Sequence, residues 1–149
     1  MSPLPPIRLS TIDEMLAEVD RWASRPNAPA RLARDLAHCA QSIECAVNGF
    51  PVHRGWLVRR VAGPLVLRGF LKRGHMKHDV DAAIPGVPPV AHDITVTAAV
   101  QRLQGAVTSF RNAAELQPHF AYGVVDRASY ERAQGMHVAD HLSHLARAG

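Results

Sequence analysis

Apolar residues recur at helical spacing in four separated stretches of the chain. Ile12, Met15, Leu16, Val19 and Trp22 fall on one stripe of a helix. Thr11, with Glu14 three residues on, is a capping-box pair, because each side chain can satisfy the other's free backbone N–H. Pro26 closes this element. A second helix is predicted over 28–47, with Leu32, Leu36, Ile43 and Val47 as its inner face and Asn48-Gly49 before Pro51 as its stop. A third main helix is predicted over 93–115, carrying Val96, Val100, Leu103, Val107 and Phe110 inward. The last is predicted to start at Asp126, a good N-cap, and to reach residue 146.

Between the second and third of these lies a less regular region. Residues 56–71 read as a shorter helix interrupted at Gly63-Pro64, with Trp56 and Phe70 expected to anchor it on the rest. Residues 74–91, with the pair Pro88-Pro89, read as a long ordered loop. A loop of that length often covers a functional site. No repeat and no two-residue alternation strong enough for a sheet is present. The expected fold is all-α: one domain over 1–149, an antiparallel four-helix bundle with a long embellished crossover loop.

The bulk numbers narrow the field without changing that reading. A chain of 149 residues, 47% hydrophobic, can bury one core. The formal charge of +4 is mild and its cations are scattered, and only 5% of residues are aromatic, which argues against nucleic acid as a partner. No apolar run is long enough to span a membrane. Residues 1–8 hold three prolines and do not read as a signal peptide. Cys39 and Cys45 sit about 9 Å apart along one predicted helix, too far for a disulfide. Two reduced thiols point to the cytoplasm.

The candidate chemistry lies in three of the nine histidines. His137 and His141 are four apart and share a face of the last helix. His38 is centred on the buried side of the second, where an unpaired imidazole is costly. Together they can form a three-histidine site with open positions, the pattern of catalytic rather than structural metal. Asp140, Gln134 and Ser42 are the candidate partners for the imidazole N–H groups. A zincin motif is absent, since Val138 stands where Glu is required; Asp140 before His141 is nearer the inverted motif but one methylene short. Cys45 and Cys39 read as core residues, His144 as a solvated residue of the last turn, and His75, Lys77 and His78 as solvated loop residues.

With these pieces in order, the chain resembles the DinB/YfiT-like superfamily of four-helix metalloproteins, in a bacterial branch of unknown function that ends in His-x-x-x-His-Leu. The matching stretches are Leu36-Ala37-His38-Cys39-Ala40-Gln41-Ser42-Ile43-Glu44, Asn48-Gly49-Phe50-Pro51, Pro118-His119-Phe120 with Gly123, and His137 through His141-Leu142. The resemblance implies a divalent ion, usually zinc or nickel, held by His38, His137 and His141, and a homodimer. Some members of that superfamily transfer a low-molecular-weight thiol onto an electrophile, which is the activity expected here; Asp140, beside His141, is this chain's own candidate proton acceptor. The alternatives are a non-catalytic metal-binding or dimerisation module and a metal-dependent hydrolase. The chain departs from the pattern at Asp140, where relatives often carry a further histidine, and in a turn after His119 that is one residue longer.

Overall fold

The computed structural model describes residues 4–149; of the stretch 1–8 read for a leader, the first three residues lie outside it. The described residues hold five α-helices and no strand: α1 (Ile12–Ala23), α2 (Leu32–Asn48), α3 (Gly63–Arg73), α4 (Val96–Asn112) and α5 (Arg127–Ala148). None is long and apolar enough to cross a membrane. The all-helical reading of the sequence holds, and the arrangement is compatible with a helical bundle.

Local chemistry sets most helix ends. At α1 the Thr11 hydroxyl accepts from Glu14 N at 3.1 Å, while Glu14 Oε2 accepts from Thr11 N at 3.3 Å and Ser10 N at 2.7 Å. Ile12, Met15, Val19 and Trp22 are buried as their spacing requires. Helix α2 starts at Leu32, not at residue 28, because Pro29 keeps Ala28 out of helical geometry and its own carbonyl accepts from Leu32 N. Thr95 caps α4 through Ala98 N, two residues later than residue 93. Helix α4 also stops at Asn112 rather than 115. There the Arg127 guanidinium takes the carbonyls of Phe110 and Ala113, and the chain leaves so that Gln117 N can reach Ala46 O. Asp126 caps α5 through Ser129 N at 2.9 Å, as expected.

The most extensive pairing is α2 against α4; α1 packs on α4 and α5, and α5 also touches α2 and α3. Met15, Leu32, Leu36, Leu103, Phe110 and Leu142 lie within one buried cluster drawn from α1, α2, α4 and α5.

The region before α3 differs from expectation. Its helix is not interrupted at Gly63-Pro64. A π-helical turn, Val58–Ala62, runs straight into α3, and Gly63 N donates to Val58 O. Widening the turn lets Pro64, which has no N–H to give, enter a continuous helix. Phe70 is buried, but Trp56 and Leu57 are each 64% exposed, so Trp56 does not anchor this segment. The inner side of the turn meets backbone instead. Gly123 (φ 72°) closes a tight loop by exchanging hydrogen bonds with His119, and a Cβ there would stand 2.5 Å from Arg59 O.

Residues 74–95 contain no helix or strand but are fastened throughout. His78 N donates to Asp140 Oδ2 (2.9 Å), Arg31 Nη2 to Val80 O (3.2 Å), and Gln41 Nε2 to Pro88 O (2.8 Å). Met76 packs with Phe70 and Met136, and Ile84 with Cys45 and Phe50.

Candidate metal centre

The fold brings His38 of α2 together with His137 and His141 of α5. One ring nitrogen from each lies within 4.8 Å of the others. The ring centres are 5.3 Å apart for His38 and His137, 5.2 Å for His38 and His141, and 5.0 Å for His137 and His141. Three imidazoles bound to one ion at about 2.0–2.1 Å hold their centres roughly 5 Å apart. His141 is 1% exposed, and neither of its ring nitrogens has a hydrogen-bond partner. An orphaned imidazole in the interior is costly. A metal ion is a partner that fits: it takes neutral imidazole nitrogen, and here several such nitrogens converge.

The electrostatics keep the rings of His38 and His137 neutral. Burial, followed by the charges of His141 and His78, lowers the pKa of His38 to about 4. Burial, then the neighbouring histidines, also places His137 well below its ordinary value. A neutral imidazole is the form that can donate a lone pair to an ion.

Behind His141 stands a carboxylate that the sequence reading missed. Asp35 of α2 is 4% exposed, and its Oδ1 lies 3.5 Å from Nδ1 of His141, an electrostatic contact longer than a good hydrogen bond. Burial pushes the Asp35 carboxyl up, but His141 and then Arg31, whose Nε is 3.0 Å from Oδ1, outweigh it and hold the group below its ordinary range. Asp35 precedes His38 by one helical turn, and that spacing was the available signal. Of the partners expected, Gln134 and Ser42 line the neighbouring cavity and make no hydrogen bond to these rings among the described residues.

Asp140 is 8% exposed and faces the loop. Its Oδ2 accepts from His78 N and lies 2.7 Å from His78 Nδ1, an ion-pair distance that is off the line of a hydrogen bond. Burial raises this carboxyl as well, and the bonds from His78 more than reverse the effect. The expected proton acceptor is thus already engaged. His78, read as solvated, instead brings its ring centre to 4.7 Å from His137 and 5.2 Å from His141, with both ring nitrogens buried. Lys77 beside it is exposed, as expected.

A cavity of about 220 Å³ opens onto His38, His78 and His137; Arg54, Phe120 and Tyr122 are among its other walls. His119 also lines it, stacked on Tyr122 at 4.2 Å, with Nδ1 accepting from the N–H groups of Ala121 and Tyr122. Cys45 does not reach the cavity; it packs with Phe50 and Ile84, the core role expected of it. Cys39 is buried and free, also as expected. His144 is half-buried and outside the trio.

Residues 8–148 match the family described as "Protein of unknown function (DUF1569)", and the chain belongs to that family. No curated protein and no solved structure matches it.

Proposed function

We propose that this protein is a divalent-metal enzyme built on a DinB/YfiT-like antiparallel four-helix bundle of α1, α2, α4 and α5, acting in the cytoplasm on small molecules. The observation that carries the reading is the cluster of His38, His137 and His141, with unpartnered nitrogens in the buried His141, at the wall of a cavity of about 220 Å³. An all-imidazole donor set suits zinc or nickel, and no thiolate joins it, since burial raises the Cys39 thiol well above its ordinary value.

The reaction class favoured is transfer of a low-molecular-weight thiol onto an electrophile. An ion held by three protein ligands lowers the pKa of a thiol or water that it binds. The chain's residues supply the setting. Phe120 and Tyr122 give the cavity apolar walls that exclude water, and Arg54 at the wall offers a cation to an acidic thiol. Asp35 orients His141, and Asp140 positions the loop through His78. Asp140 acts by positioning, because both its depth and its partners keep it from the cavity.

Elemental analysis of tag-free protein tests this, beside a His137→Ala/His141→Ala variant of equal helicity. Near-stoichiometric zinc or nickel is expected in the parent and not in the variant. Added ion should raise the melting temperature of the parent alone, since a ligand stabilises the state that binds it. Equal, negligible metal in both after soaking overturns the reading. A metal-loaded parent that consumes no thiol in the presence of electrophiles leaves the metal site standing and removes the transferase.

A further inference from the structure

We propose that His78 is a fourth, loop-borne ligand to the same ion, so that loading the metal adds a further tie between residues 74–95 and the three-histidine cluster. This rests on the metal reading above. Two imidazoles here share one arrangement. In His141, Nδ1 faces the carboxylate of Asp35; in His78, Nδ1 faces that of Asp140 at 2.7 Å. Metal-bound imidazoles are commonly backed in this way, with a carboxylate at one nitrogen and the ion at the other. The other nitrogen of His78, Nε2, is buried and has no hydrogen-bond partner, although the side chain as a whole is 25% exposed. Exposed carbon with orphaned nitrogen is the reverse of what a solvated loop histidine shows.

The position is also fixed from both sides. Met76 is buried against Phe70 and Met136, Ile84 against Cys45 and Phe50, and the backbone N–H of His78 itself is held by Asp140. The ring centre stands 4.7 Å from that of His137 and 5.2 Å from that of His141, within the spacing that imidazoles on one ion adopt, roughly 5 Å. His78 is not among the nitrogens already within 4.8 Å of one another. Its coordination therefore needs only a turn or small shift of the ring toward the trio. A substrate donor atom would then displace His78 or take a further position beside it.

Cobalt(II), added alone to metal-free protein, is the probe, read by its visible absorption and by amide hydrogen exchange. The parent is expected to bind one equivalent, with slowed exchange across 74–95. His78→Ala and the more conservative His78→Asn should still bind cobalt, but about 10-fold or more weakly. Their visible bands should be altered and exchange in the loop should not slow; free imidazole should restore the parent spectrum in His78→Ala. His75→Ala, in the same loop, should behave as the parent. Parent, His78→Ala and His78→Asn spectra that superimpose at equal affinity overturn the role of His78 and leave the three-histidine site intact. A parent that takes up no cobalt overturns both.

Discussion

His119 shows how a single ring can be committed to the fold while lining a functional cavity. Its Nδ1 accepts from two backbone N–H groups, each at 3.1 Å, so a proton on that nitrogen would set three donors against one another. Burial, then the charge of His53, lowers its pKa from 6.5 to about 3. The unfolded chain takes up a proton near pH 6.5 that the folded chain refuses until about pH 3. In that window the unfolded state binds more protons, so stability is full above it and falls as pH falls, by about 1.4 kcal/mol per pH unit for this group. Urea midpoints of metal-free protein between about pH 5 and 7 should therefore drop with acid. His119→Asn, which keeps an acceptor near Nδ1 but does not titrate, should drop less steeply. Parallel slopes for the two proteins would refute the assignment. The residues that sequence reading did and did not find follow one physical rule. His137 and His141 share a face by helix geometry alone, and His38 was legible because an imidazole stood on a buried stripe. Asp35 lies one turn from His38, but only the pairing of α2 with α5 shows that it faces His141. His78 sits where no periodicity applies, and only the folded path of the loop carries it to the cluster.

At the scale of elements, caps and stripes were legible wherever the deciding atoms are close in sequence, as at Thr11 and Asp126. The boundaries that moved were set by partners far along the chain, such as Arg127 at the end of α4. The π-turn before α3 belongs to the same class. Glycine followed by proline reads as a break, yet the widened turn keeps the helix whole because Gly63 lets it sit on the Ala121 backbone. A Cβ at Gly63 would lie 1.9 Å from Ala121 O and 2.9 Å from Val58 O, and backbone atoms cannot rotate away. Gly63→Ala should therefore destabilise by about 1–3 kcal/mol, despite the better helix propensity of alanine. Gly69→Ala, in the same helix, meets only the flexible end of Arg73 at 3.5 Å and should be neutral or stabilising by up to about 1 kcal/mol. Denaturant midpoints of the two variants decide the matter. If both stabilise, the close approach does not constrain the turn.

At the scale of the whole molecule, the π-turn and α3 turn an apolar surface outward. Trp56 and Leu57 are 64% exposed, Leu65 59% and Val61 47%. Leu57, Val61 and Leu65 recur every four residues and so share one face, and contiguous exposed apolar surface on a folded protein marks an interaction site. The homodimer implied by the sequence resemblance gives that face a partner without calling on another protein, and a two-fold arrangement sets the same patch against itself. Charge works against it. The chain carries +4, and Arg59, Arg60 and Arg68 lie along this segment, so two copies brought together here repel at low ionic strength. Screening that repulsion while keeping the apolar contact should tighten the dimer as salt rises. Sedimentation velocity on the parent is expected to show a dimer that strengthens from about 0.05 to 0.5 M sodium chloride. Trp56→Glu/Leu65→Glu should remain a monomer at both, with helicity and metal content equal to the parent. A parent that is monomeric at every salt concentration, or a double variant that still dimerises, would remove this face as the interface.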